Sequence, residues 1–165
     1  MANAKPVPDG FHTLTPHLIV NGGLEAIEFY KRAFGAELVG QPHTTPDGRL
    51  THARLKVGDS VLMLADDFGC GSNGAAAATG GAHKVVLHLY VEDVDALYDR
   101  AVKAGATVAM PLMDAFWGDR YGQLTDPYGH TWSLATHIQD LTDEEIQKAQ
   151  AEAMAKWMKK ESTAA

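Results

Sequence analysis

The chain has 165 residues, 14 basic and 21 acidic side chains, a net charge of −7, 45% hydrophobic and 21% charged residues. Such a length suits one domain, and the composition excludes wholesale disorder. An acidic surface repels phosphates, and no basic cluster exceeds Lys159-Lys160, so nucleic acid is not an expected partner. One cysteine, Cys70, makes neither an internal disulfide nor a thiolate metal cage. No apolar run approaches a signal peptide or a membrane span, so the expectation is a soluble, cytoplasmic protein without a membrane partner.

The first half opens with a β-rich segment, Thr13 to Val20, stopped by Asn21-Gly22-Gly23. Ile27, Tyr30 and Phe34 then recur at helical spacing, and Gly35 suits the left-handed position past a helix end. Arg49 to Val57 and Ser60 to Asp66 alternate around Gly58-Asp59, the pattern of a tight hairpin. Pairing Val57 with Ser60 sets Arg54 opposite Met63 and His52 opposite Ala65. One hairpin face then carries Ala53, Leu55, Val57, Leu62 and Leu64 and needs a core. The other carries His52, Arg54, Lys56, Val61 and Met63, and suits water or a ligand.

Residues 66–83 are rich in Gly, Ala and Ser and show no period, which predicts a flexible linker without the strand–loop–helix context of a phosphate loop. Cys70 lies within it, with no neighbouring charge to make it reactive. Beyond it the chain repeats itself. His88-Leu89-Tyr90-Val91 echoes His17-Leu18-Ile19-Val20, and a second helical stripe, Val94, Leu97, Ala101 and Ala104, begins after a capping Asp93 and stops at Gly105. Thr142 and Glu145 form a capping box that opens a last helix, about 141–160, with Ile146, Ala149, Ala153 and Trp157 on one face. That face is expected to dock on the domain or on a second subunit.

The segments HLIVNGGLEAIEFYKRAFGAEL, DGRLTHARLKVGDSVLMLADDF, HLYVEDVDALYDRAVKAGATV and FWGDRYGQLTDPYGHTWSLATH resemble the glyoxalase/bleomycin resistance/dioxygenase (vicinal oxygen chelate) superfamily, most closely its PhnB-like branch. The resemblance implies an α+β fold of two βαβββ modules forming a curved, cup-like mixed sheet with the helices outside. Residues 1–140 would be one domain, with module one at about 12–67, a linker at about 67–83 and module two at about 84–138. Members are commonly homodimers. Enzymes of the family hold a divalent metal inside the cup, as a Lewis acid, whereas resistance-type members bind a small molecule there without catalysis.

Matched to this chain, the family's metal positions fall on Thr15, Val86, Ser133 and either Leu62 or Met63. These side chains are poor or non-existent ligands, so the usual metal site is expected to be lost. His17 and His88 lie two residues after the first-strand positions and share their strand faces. They can touch a ligand, serve as a base, or hydrogen-bond within the sheet; as a shifted metal pair they would support a lyase or dioxygenase instead.

The expected function is small-molecule binding, with His17, His52, Arg54, Met63, His88, Trp117, Arg120, Tyr121 and Ser133 lining the site. In this set Trp117 and Tyr121 would stack on a planar ligand, and Arg120 or Arg54 would meet an anionic group. The opposing reading makes Asp119–Arg120 a surface pair in a packed loop and Arg54 part of a solvated face.

Overall fold

The structure is a computed structural model, and it describes residues 6–8, 10–68 and 85–164, with side chains through residue 153. The predicted linker and Cys70 lie almost wholly outside the described residues. In chain order the elements are β1 (His17–Val20), α1 (Gly23–Phe34), β2 (Glu37–Leu38), β3 (His43–Thr44), β4 (Leu50–Val57), β5 (Ser60–Asp66), β6 (Val86–Tyr90), α2 (Val94–Ala104), β7 (Thr107–Asp114), β8 (Asp119–Thr125), β9 (Thr131–His137) and α3 (Asp143–Ala164). The order strand, helix, strands occurs twice, as the repeat requires.

Each repeat makes its own mixed sheet. The first runs β1-β5-β4-β2, with β3 also on β4; the second runs β6-β9-β8-β7. The first strand of each repeat lies parallel to the last, β1 on β5 and β6 on β9, while the other pairings are antiparallel. The hairpin register is the expected one, with Val57 opposite Ser60 and Arg54 opposite Met63.

The helix ends follow from local chemistry. Gly35 and Gly105 adopt positive φ and close α1 and α2. Asp93 accepts the Ala96 N–H at 2.9 Å, capping α2. Gly22 caps α1 without a side chain, and a carboxylate from a distant strand replaces it: Asp66 Oδ1 accepts the Gly22 and Gly23 N–H groups at 2.9 and 2.8 Å. Its other oxygen accepts the Leu50 N–H at 2.6 Å. A side chain at Gly23 would meet Leu50 Cβ at 2.6 Å, so only glycine fits where α1 crosses β4. The capping box of α3 forms as expected, with Thr142 N–H donating to Glu145 Oε2 at 2.8 Å and Glu145 N–H to Thr142 Oγ1 at 3.3 Å. Ile146, Ala149 and Ala153 of its apolar face are half-buried; the side chain of Trp157 lies outside the described residues.

The two helices pack on each other and on one face of each sheet, and a single core joins them. It runs from Val20, Leu55 and Leu64 through Ile27 and Tyr30 to Leu97, Trp132 and Leu134. Aromatic rings fill its middle, with Phe34 4.4 Å and Tyr30 5.7 Å from Trp132 between centroids. At this point Asp126, 4% exposed, accepts four hydrogen bonds. Oδ2 takes the Tyr30 hydroxyl at 2.8 Å and Trp132 Nε1 at 2.9 Å, while Oδ1 takes the Tyr128 and His130 N–H groups at 2.9 Å each. Burial and this carboxylate push the Tyr30 phenol far above its ordinary range, so it remains a donor.

Two strand expectations needed correction. The opening segment pairs only from His17, because Pro16 has no N–H to offer, although its carbonyl accepts the Met63 N–H at 2.8 Å. The strand that opens the second repeat, β6, likewise ends at Tyr90, one residue short of the Val91 that closes the repeated His88–Val91 segment.

Asp126→Ala should lower stability by about 3–5 kcal/mol in urea unfolding, since it strands two buried ring donors and two backbone N–H groups. Tyr30→Phe removes one donor and should cost about 1–2 kcal/mol. Equal, small losses for both would show that the carboxylate does not join the halves.

Candidate functional site

With the helices on one face of each sheet, the opposite faces point outward, and period-two alternation decides what they carry. On the first sheet, β1 and β5 set His17 opposite Met63, and β4 sets Arg54 opposite the same Met63. His52 comes from β4, and β3 sets His43 opposite it. The His17 and His52 rings meet edge to face at 6.1 Å, and those of His43 and His52 at 6.2 Å. Burial, followed by the repulsion of a charged His52, lowers the His17 pKa, so His17 favours the neutral imidazole. Leu62 points into the core, which leaves Met63 as the residue on the outward face.

On the second sheet His88 lies opposite Ser133 in the parallel register, the repeat counterpart of His17 and Met63. His88 Nδ1 and Ser133 Oγ share a hydrogen bond of 2.6 Å. Tyr90 closes on His88 at 4.5 Å between ring centroids, and Tyr121 stacks near it at 6.1 Å. Trp117 meets Tyr121 edge-on at 5.2 Å. Gln123 donates to the Tyr121 hydroxyl at 2.7 Å.

Under this aromatic group lies Asp119, 2% exposed. Its Oδ2 accepts the Tyr90 hydroxyl at 3.0 Å and Trp117 Nε1 at 2.9 Å, and its Oδ1 binds His137 Nδ1 at 2.8 Å. Burial pushes the Asp119 carboxyl up, but the hydrogen bonds from His137, Tyr90 and Trp117 outweigh it and hold the carboxyl below its usual range. Gly118, at φ +95°, turns the chain into β8, and a Cβ there would come within 2.2 Å of the Gln139 carbonyl oxygen. Its own carbonyl accepts the Ile138 and Gln139 N–H groups, so the Trp117–Asp119 turn is pinned to the end of β9.

A cleft of about 640 Å³ opens between the tip of the β4–β5 hairpin, at Val57 to Ser60, and β6 with the start of α2. His88, Tyr90 and Arg100 border it. That volume suits a small organic molecule.

The nine expected site residues therefore divide. His17, His52, Arg54 and Met63 share the first outward face; His88, Trp117, Tyr121 and Ser133 share the second. Arg120 joins neither. It alternates to the helix side, where it forks onto Asp95 at 2.8 and 3.2 Å and reaches Asp114 at 3.2 Å. The Asp119–Arg120 pair of the opposing reading is absent too, because adjacent strand residues point to opposite faces. Tyr90 and Asp119 were missed by sequence reasoning, although each lies two residues from a chosen one, His88 and Tyr121, and so shares its face.

The family's metal positions do not fit a divalent cation. The Thr15 hydroxyl donates to the His12 carbonyl at 3.0 Å, Val86 has no donor atom, Met63 offers only a thioether, and the Ser133 hydroxyl is engaged with His88. His17 and His88 lie on separate sheets. Among the described residues no three His, Cys, Asp or Glu side chains are grouped to hold a metal ion.

Residues 11–134 match the profile of the Glyoxalase/Bleomycin resistance protein/Dioxygenase superfamily. The uncharacterized protein Rv0887c of Mycobacterium tuberculosis is 44% identical over 138 residues, covering 82% of this chain and 81% of that protein. Among solved structures, TioX from Micromonospora sp. ML1 is similar at a TM-score of 0.59 and 26% identity, covering 79% of this chain and all of the other (100%). The putative 3-demethylubiquinone-9 3-methyltransferase, PhnB protein, from Bacillus cereus shares the fold at a TM-score of 0.58 and 21% identity, with 76% of this chain and 99% of that one covered.

The ordinary His pKa is 6.5, and hydrogen bonds donated to the Asp119 and then the Asp140 carboxylate raise that of His137. Its contribution to stability is therefore full below 6.5 and disappears as pH rises through the raised value. The gap in urea midpoint between the wild-type protein and His137→Ala should be widest below pH 6.5 and shrink as pH rises above it. A gap that does not change with pH would rule out the charged pair.

Proposed function

Because the chain belongs to the glyoxalase/bleomycin resistance protein/dioxygenase superfamily, we propose that it is a small-molecule-binding protein of the PhnB-like kind, working without the family's metal. One observation carries this reading: His88, held by Ser133 and flanked by Tyr90 and Tyr121, opens onto a cleft of about 640 Å³. The cleft sets apolar residues such as Phe34, Leu89 and Leu97 beside Tyr90 and the polar Asp93 and Arg100, and apolar walls with a few placed polar groups are the usual form of a small-molecule site. Asp119 fixes the orientation of Tyr90 and Trp117, so these rings are held before a ligand arrives, which lowers the entropy cost of binding.

The protein is further proposed to act as a cytoplasmic homodimer. The support is the unmatched state of the two outward faces. β1 and β6 are edge strands, each bonded on one side among the described residues. Ile19, Val86 and Tyr90 stand 45%, 47% and 63% exposed on them. A second copy would set the histidine and arginine face of one chain against the aromatic and carboxylate face of the other, so that each completes the site of its partner.

The test is elemental analysis of protein purified without chelator or a histidine tag, followed by titration with nickel, zinc, manganese and iron(II). The expected result is substoichiometric metal with the fold intact, and small-molecule binding that is weakened by Trp117→Phe. A stoichiometric metal lost in the His17→Ala/His88→Ala double variant would overturn the metal-free reading in favour of a lyase or dioxygenase.

A further inference from the structure

We propose that the outward face of the first sheet is an anion-recognition site, in which His17, His52, His43 and Arg54 receive a carboxylate or phosphate group of the ligand. The inference rests on the small-molecule reading above and names the ligand's chemistry. Three strands contribute these side chains, β1, β4 and β3, so the cluster is a product of the fold and not of one basic segment. The imidazoles form a continuous row at 6.1 and 6.2 Å, and Arg54 stands one strand across from Met63, on the same face as His17.

Three features distinguish this row from an ordinary solvated face. First, no acid stands beside the three imidazoles. On the outward face, β1 adds Ile19 to His17, and β5 adds only Val61, Met63 and Ala65. The nearest carboxylate in register is Glu37 on β2, opposite Lys56. Measured along β4 at the rise of a strand, that is two residues or about 7 Å from Arg54, and four residues or about 13 Å from His52. In a chain of net charge −7 this is an unusual local excess of positive and donor groups.

Second, the donors are unspent. Arg49 reaches the Asp67 carbonyl, Arg100 the Ala33 carbonyl, and Arg120 two carboxylates. Arg54 is half-buried, yet neither it nor His17, His43 or His52 has a side-chain hydrogen bond or ion pair among the described residues. A guanidinium with five N–H donors removed in part from water favours an oxyanion that can take two of them.

Third, the backbone makes room for the guanidinium. Gly40 has φ +77°, and a Cβ built on it would lie 3.0 Å from an Arg54 terminal nitrogen. The loop after β2 thus cradles the charged head and directs it along the same face. Each imidazole carries at least one N–H in either protonation state, so the row remains a set of donors.

The test uses the full chain with labelled histidines, near pH 6 and at constant ionic strength. Inorganic phosphate and oxalate are titrated separately while the side-chain resonances of His17, His43 and His52 are followed by NMR, with chloride as the control. Saturable shifts at these three histidines are expected for at least one oxyanion, weakened about tenfold in Arg54→Gln, a loss of about 1.4 kcal/mol. The stronger of the two titrants identifies the group as phosphoryl or carboxylate. His52→Gln provides a second variant and should weaken binding in the same direction. Shifts no larger than those with chloride, or binding unchanged in both variants, would overturn the proposal. If uncharged aromatic compounds then still perturb Trp117 fluorescence, the anion site fails while the small-molecule reading stands.

Discussion

The Asp126 carboxylate joins the two halves of this molecule. Tyr30 reaches it across 96 positions of sequence, and Trp132 and two backbone N–H groups complete its shell. A buried carboxylate is tolerable only when so many donors face it, so the groups around it have little freedom to move apart. Because Tyr30 belongs to the first helix and Trp132 to the last strand, their common acceptor fixes α1 against the second module. The helices thereby become a shared layer, and the opposite face of each sheet must point outward. Every candidate ligand contact depends on that consequence.

Two other buried carboxylates play comparable parts within a single module. Asp66 supplies the cap that Gly22 lacks and ties α1 to the β4–β5 hairpin. Asp119 holds Tyr90, Trp117 and His137 together beneath the second outward face. The contrast between the two faces is chemical. One presents imidazoles and a guanidinium with unsatisfied donors; the other presents aromatic rings already oriented by hydrogen bonds. An anionic group on the first and a planar body on the second would satisfy both, and each face alone is only half of such a site.

Much of this was legible in the sequence because it depends on neighbours. Gly58-Asp59 determines the hairpin register, Asp93 and Gly105 bound α2, and the repeat at His17 and His88 identifies equivalent strands. Alternation also placed His52, Arg54 and Met63 on the outward face, and it would have excluded Arg120 and admitted Tyr90 and Asp119 had it been followed through β6 and β8. The partners of Asp66 and Asp126 were beyond reach, since nothing local shows that a carboxylate 43 or 96 residues away will be the acceptor. The two-residue strands β2 and β3 have too few positions to show a period, and β7 has Pro111 and register shifts that obscure its own.

On the proposed reading, the two outward faces form one site only when two copies meet. Sedimentation equilibrium over a wide concentration range tests it directly. The expected mass is twice 17.7 kDa, falling to a single chain when Ile19→Arg and Tyr121→Arg place charges on the two faces. A single-chain mass at every concentration, with small-molecule binding intact, would contradict it and place the whole site within one chain.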